Sequence, residues 1–286
     1  MADMNDMSDE NPMTHPLVPD PAPDAEGPVR IDASPSGVVV VTLDRGAAGN
    51  RMNPALQGAL REAFETLHGA DHVRLVLIRG AGKTFCAGHD PDWLRLTFDW
   101  SEADLRDDAL DQGRMLKALH EIPALTVALV EGEAYGPGVG LAAACDMALA
   151  TETARFGFPE LKLGLLPSVS APYLADAIGP RHAQALLGSG RTIDAHVAQR
   201  IGLVQVVAAD EPALAALAEK LTGDVLACAP EAAAEAKRLA WRVWGRPIDH
   251  GLLEETARRF AARRVSAEGT EGAQAFLDGR SPNWNL

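Results

Sequence analysis

Two glycine-bearing turns and one isolated carboxylate are the residues of this chain whose types and spacing could do chemistry. The first turn is Phe85-Cys86-Ala87-Gly88-His89-Asp90, and the second is Gly132-Glu133-Ala134-Tyr135-Gly136-Pro137-Gly138. Each follows an apolar run of strand length and leads into a loop or helix. Small residues at such turns let a ligand approach the backbone, and unpaired N–H groups there can face a developing negative charge. Downstream, Phe156-Gly157-Phe158-Pro159-Glu160 sets a lone carboxylate among apolar residues. Burial would raise its pKa towards the range useful for moving protons. The bland alternatives are a Glu160 that caps a loop or pairs with Lys162, and a His89 that merely lines a surface.

Other chemistries fit less well. Gly80-Ala81-Gly82-Lys83-Thr84 resembles the end of a phosphate-binding loop, but the glycine required five residues before Gly82 is Leu77. Gly136, Gly138 and Gly140 are spaced G-x-G-x-G, not as a dinucleotide fingerprint. Ser168 and Ser170 have no His and Asp at a recognisable spacing, so a serine nucleophile is not expected. Cys86, Cys145 and Cys228 are odd in number, far apart and without metal-ligand spacing. Reduced thiols in a cytoplasmic protein and no metal site are therefore expected.

The elements that must position these groups alternate. Gly37 to Asp44, Val73 to Ile78, Leu125 to Val130 and Asp146 to Ala150 have strand character. Pro54 opens a helix with Leu56, Leu60, Phe64 and Leu67 on one face. Helices are also expected over 104–120, at 141–145, and from Asp194 as N-cap to Arg200. Strands alternating with helices give an α/β class with a largely parallel sheet. Beyond about residue 210 the pattern turns wholly helical, at 211–222, 230–244 and 251–266. The division expected is a tail (1–29), an α/β core (30–210) and a helical module (211–286).

Composition narrows the function. Among 286 residues, 40 acids against 26 basic side chains give a net charge of −14, the wrong sign for a nucleic-acid binder. No apolar run approaches the roughly 20 residues that cross a bilayer. Half of the charge lies in residues 1–29, which hold seven acids, six prolines and no Lys or Arg. Such a segment is expected to be disordered, and it has neither the basic nor the apolar region of a secretory signal.

Seven segments, in order, resemble the crotonase (enoyl-CoA hydratase/isomerase) superfamily over about residues 30–286. They are LDRGAAGNRMN (43–53), FCAGHD (85–90), GEAYGPG (132–138), AACDMALAT (143–151), FGFPELKLGLLP (156–167), GSGRTIDAHVAQRIGLVQVV (188–207) and GAQAFLDGRSPNW (272–284). Within it, AGHDPDWL (87–94) and LGLLPSVSAPYLADAIG (163–179) look most like the methylglutaconyl- and isohexenylglutaconyl-CoA hydratase branch.

The resemblance implies a crotonase-like spiral of ββα units and a C-terminal helical module for trimerisation or for covering the active site. It implies a homotrimer or homohexamer, an acyl-CoA thioester as substrate and no further cofactor. Hydration or double-bond migration of an enoyl-CoA is the activity it implies. A non-catalytic acyl-CoA binder and a thioester hydrolase are the rivals. Two backbone N–H groups would hold the thioester oxygen. The first falls on His89 and the second on Pro137, which has none, so either Gly138 takes over or one donor remains. Glu160 falls on the acid/base position. Arg51, Ala87, Asp90 and Gly136 fall on substrate-binding positions. A second carboxylate, which the double-glutamate hydratases carry, is replaced by Gly140, leaving Glu133, Asp90, Asp92 and His89 as candidate helpers. Asp146 falls on a structural aspartate, and Arg258, Arg259, Arg263 and Arg264 either meet CoA phosphates or form a solvated face.

Overall fold

The computed structural model describes residues 27–284; the segment expected to be disordered lies outside the described residues up to residue 26. The core runs β1 (Val29–Ala33), β2 (Val38–Leu43), α1 (Pro54–His68), β3 (Leu75–Gly80), α2 (Pro91–Leu96), α3 (Glu102–His120), β4 (Leu125–Val130), β5 (Glu133–Tyr135) and α4 (Pro137–Ala144). It continues with β6 (Met147–Thr151), β7 (Arg155–Gly157), α5 (Ala171–Ser189), β8 (Ile193–Asp194), α6 (Ala195–Arg200) and β9 (Val206–Ala208). Four helices follow: α7 (Glu211–Ala227), α8 (Pro230–Val243), α9 (His250–Arg264) and α10 (Ala267–Asp278).

Six strands form one sheet in the order β1-β2-β3-β4-β6-β9, parallel except for the antiparallel edge strand β1. A smaller sheet, β5-β7-β8, stands beside it. The alternation of side chains along a strand divides the main sheet into two apolar faces. Val39, Val41, Val76, Ile78, Ala128 and Val130 join the larger core with Leu56, Leu60 and Phe64 of α1 and Met115, Leu116 and Leu119 of α3. Val38, Val40, Leu75, Leu77, Val127 and Leu129 face the other way, onto Leu214 and Ala218 of α7. Both faces are covered, so the strands carry continuous apolar runs, as parallel strands do.

Local chemistry fixes most boundaries. Asn53 caps α1 by accepting from Leu56 N–H (3.0 Å), and Asp194 caps α6 through Val197 N–H (2.8 Å). A capping box between Ser101 and Asp104 starts α3 two residues before the expected 104. β3 lies two residues later than expected. Arg74 N–H bonds Gly37 O, and its guanidinium turns away to the carbonyls of Val225, Leu226 and Cys228 at the end of α7. α4 begins at Pro137, not 141, because proline is tolerated in a first turn whose N–H groups lack helical partners anyway.

β1 takes in Val29, at the end of the expected tail. α7 covers one face of the main sheet, so the chain beyond 210 starts as core, and the looser helical layer begins with α8. That layer buries little apolar surface: among its described residues Leu252 and Ala275 are the buried hydrophobics. Ion pairs join its helices instead, with Glu255 between Arg242 and Arg246, and Arg263 between Glu231 and Glu268. Lys237 anchors α8 to the core. Its ammonium lies 2.6 Å from Asp146 and also donates to Ile122 O and Ala124 O.

Candidate active site

The two glycine-bearing turns meet through a ladder of backbone bonds. Cys86 N–H donates to Glu133 O (2.9 Å), and Tyr135 N–H donates back to Cys86 O (2.9 Å), making a parallel bridge between Cys86 and Ala134. On its other side the first turn bridges Met52, through Met52 N–H to Gly88 O (2.8 Å) and Asp90 N–H to Met52 O (2.9 Å). In a parallel bridge the residue opposite keeps its own N–H and C=O turned away. His89 is that residue, and among the described residues its N–H has no partner. The expected first donor is therefore free.

The second turn ends in α4, whose eight residues are all buried. Gly136 has φ +50°, a conformation that side-chain-bearing residues rarely adopt, and its N–H bonds Gly157 O. Pro137 supplies no N–H. The first α-helical bond of α4 runs from Gly140 N–H to Gly136 O (3.1 Å), so the N–H groups of Gly138 and Val139 precede it unpaired among the described residues. A Cβ on Gly138 would stand 2.7 Å from Cys86 O, so a side chain there would push the helix off the first turn. Of the two alternatives at the Pro137 position, the geometry leaves Gly138 as an available donor. The helix N-terminus adds its own positive partial charge.

Glu160 lies in a 3-10 turn, Pro159–Leu163, after β7. It is 7% exposed, and a Cβ on Gly136 would stand 2.7 Å from its Oε1. Burial pushes its pKa up, opposed only by its own backbone N–H, and no cation contributes. Pairing with Lys162 is thus not what holds it.

The remaining expected residues are nearby but differently employed. Ala87 N–H bonds Gly49 O, which draws residues 45–51 alongside the first turn. Asn50, φ +51° and fully buried, fixes that loop by donating to Ala81 O and Thr84 O while accepting from Arg45 N–H. Arg51 bonds Ala48 O within the same loop. Asp90 caps α2 and pairs with Arg45 (2.9 Å). Burial pushes the Asp90 carboxyl up, but the bonds from Arg45 and Asp92 N–H outweigh it and hold the pKa low. His89 stacks on Trp93 with ring centroids 5.1 Å apart, and burial drops its pKa to about 4. Its imidazole is therefore neutral at pH 7.

The whole chain from β1's end matches a known sequence profile. The profile described as "Enoyl-CoA hydratase/isomerase" covers residues 33–286. The chain belongs to the enoyl-CoA hydratase/isomerase family. It is 34% identical over 250 residues to a protein of Mycobacterium bovis described as a probable enoyl-CoA hydratase, covering 86% of this chain and 94% of that one. Among solved structures it is similar to Pseudomonas aeruginosa AtuE (TM-score 0.86, 34% identity, 91% of this chain and 100% of that one). It is also similar to an enoyl-CoA hydratase of Mycobacterium smegmatis (TM-score 0.84, 31% identity, 91% and 100%). The α/β class and crotonase-like fold expected from the sequence are those of these relatives.

In this enoyl-CoA hydratase/isomerase family member, Gly140 is tightly enclosed. A Cβ on Gly140 would stand 2.4 Å from Ser170 Oγ, 3.1 Å from Ser170 Cβ and 3.4 Å from Leu116 Cδ1. The space beside Gly140, where the resemblance implied a lost second carboxylate, is therefore filled by a serine that sequence reasoning weighed only as a nucleophile. Of the proposed helpers, Asp92 is exposed and pairs with Arg95, and Glu133 is exposed on β5. Asp146 accepts from Thr126 N–H and Oγ1 and pairs with Lys237, a structural clamp as expected. Arg259 and Arg263 are engaged by Glu235, Glu255, Glu231 and Glu268.

Proposed function

We propose that this enoyl-CoA hydratase/isomerase family enzyme adds water across the C2=C3 bond of a 2-enoyl-CoA, with Glu160 as its single acid/base. The observation that carries this reading is the contact of the buried Glu160 carboxylate with Gly136, beside two turns that leave the His89 and Gly138 N–H groups free. Those N–H groups donate to the thioester oxygen as it gains negative charge. Water bonds to C3 while its proton passes to Glu160, and the π pair moves into the enolate. The protonated Glu160 then delivers the proton to C2, which restores both the carbonyl and the carboxylate. An oxyanion donor is worth about 2.7–4 kcal/mol, so the free Gly138 N–H in place of Pro137 supports turnover.

A second reading, migration of the double bond of a 3-enoyl-CoA, is favoured by the absence of a side chain at Gly140. One carboxylate is enough to lift a proton from C2 and return it at C4. We also propose that no cofactor is needed beyond the CoA thioester and that the enzyme is cytoplasmic, a reading supported by its three unpaired cysteines. Among the described residues no helix is long and apolar enough to cross a membrane. Assembly into a trimer or hexamer through the C-terminal helices is part of the proposal. Phe260, Val265, Phe276 and Leu277 are exposed on or beside α9 and α10, as subunit-contact residues would be in an isolated chain.

Purified protein incubated with crotonyl-CoA and with a 3-enoyl-CoA tests the reading. Loss of the enoyl-thioester absorbance with formation of 3-hydroxyacyl-CoA is expected. Binding of CoA esters without turnover of either would make the chain a non-catalytic binder, and release of free CoA thiol would make it a hydrolase.

A further inference from the structure

Ser170 is 3% exposed and stands at the start of α5. A serine in that place ordinarily caps its helix by accepting from a first-turn N–H. Ser170 does not: its backbone is already in the right-handed helical region (φ −81°, ψ −21°), and its side chain makes no cap bond. Its carbonyl accepts from Leu174 N–H (3.0 Å), so the main chain is engaged in α5 while the hydroxyl is left over. Among the described residues that hydroxyl has no hydrogen-bond partner. The oxygen is not sealed from solvent as the unpartnered Thr42 Oγ1 is, so a water can reach it.

The hydroxyl points at the bare Cα of Gly140, just as the Glu160 carboxylate rests on the bare Cα of Gly136. These glycines are joined by the first α-helical bond of α4 (3.1 Å) and lie one turn, or about 6 Å along the axis, apart. One helix edge therefore carries two polar groups, an acid/base and a neutral hydroxyl. Both groups thus meet α4 at glycines four residues apart.

We propose that the Ser170 hydroxyl holds the attacking water, standing where a second carboxylate would otherwise project from position 140. This rests on the hydratase reading and deepens it. A serine hydroxyl takes no proton at neutral pH, so it accepts a hydrogen bond from the water and orients one lone pair toward C3. Both proton transfers stay with Glu160: one from water as the C3–O bond forms, one to C2 as the enolate collapses. Ser170 ends the cycle unchanged and is a positioning residue. It has no part when a proton merely leaves C2 and returns.

The test separates those two events. Ser170→Ala and Ser170→Thr are compared with the natural enzyme in crotonyl-CoA hydration, and in exchange of the α-protons of butyryl-CoA with deuterated water. Ser170→Ala is expected to lower hydration kcat by about 10–100-fold, the scale set by loss of orientation, with KM within about twofold. α-Proton exchange is expected to stay within about twofold, and Ser170→Thr to recover much of the hydration rate. Gly140→Ala is an independent variant, since its Cβ displaces the hydroxyl without removing it, and the same split is expected. Natural rates of hydration in Ser170→Ala, or equal losses in hydration and exchange, would overturn the proposal. An unmodified enzyme that exchanges α-protons but hydrates no enoyl-CoA would instead sink the hydratase reading beneath it.

Discussion

The carboxylate of Glu160 rests on the bare Cα of Gly136, so closely that a Cβ there would stand 2.7 Å from Oε1 and 3.1 Å from Oε2. This contact ties the proposed acid/base to the turn that carries the Gly138 N–H, so a side chain at position 136 should disturb both. Gly136→Ala combines that clash with a strained φ of +50°. A fall in kcat/KM of about 100-fold is expected, the scale of an ångström's misplacement, with a stability loss of about 1–3 kcal/mol. Steady-state kinetics and urea unfolding check the two parts.

Glu160→Gln keeps the shape and removes the proton carrier, so kcat should fall by about 10²–10⁴-fold. Its stability should change in the opposite sense. Burial raises the native pKa of Glu160 above its unfolded value, so the folded state holds its proton to higher pH than the unfolded state. The ionised carboxylate therefore costs stability above the native pKa, and that cost disappears as pH falls through the native value to the unfolded one. The variant should unfold no more easily than the natural protein at pH 7, with the difference shrinking in acid. Melting curves across pH would show it. The acid limb of the natural enzyme's pH–rate profile should lie above the ordinary glutamate value of about 4.3.

In the proposed reaction His89 acts through its main-chain N–H, while its imidazole, held neutral with a pKa of about 4, stacks on Trp93. His89→Ala preserves the N–H donor. It should keep kcat on crotonyl-CoA within about tenfold, well short of the loss for a removed oxyanion donor. Steady-state kinetics on crotonyl-CoA measures it.

Lys237 and Asp146 are each largely buried and 2.6 Å apart, so removing one leaves the other charged and enclosed. Lys237→Met should lower the unfolding free energy by about 3–5 kcal/mol. Adding Asp146→Asn should restore part of it, since the orphaned charge goes too. A double-mutant cycle in urea gives the coupling directly.

Where the sequence pattern was long and regular, the structure could be foreseen. The stripe Leu56, Leu60, Phe64 and Leu67 is the buried face of α1, and the run 125–130 is β4 to the residue. The strands β5, β7 and β8 are two or three residues long, too short for a period of two to show. Helix α5 was hidden because Gly179 (φ +73°) and Pro180 break its pattern in the middle. α2 and α10 were also missed, although Asp90 before Pro91 is a start signal that the surrounding acidic stretch obscured. Glu160 and the two turns were visible as residue types, and the problem at Pro137 came from the family resemblance. Ser170 was not, because its meaning comes from a contact with a glycine 30 positions earlier in the chain. Only packing makes that contact.

The bridge between Cys86 and Ala134 gives the enzyme a built-in ruler. Neighbouring strands keep a spacing of about 4.8 Å, so the distance between the two anion-facing turns is fixed by backbone pairing and not by any side chain. Side chains in the pocket can therefore be exchanged to suit new acyl groups without disturbing the polarising geometry. Length cannot: one residue inserted at 86–89 or 133–136 would reverse every following side chain in the ladder. Diversification of such an enzyme can reach side chains away from Gly136, Gly138 and Gly140, but residue count is frozen along the two paired segments.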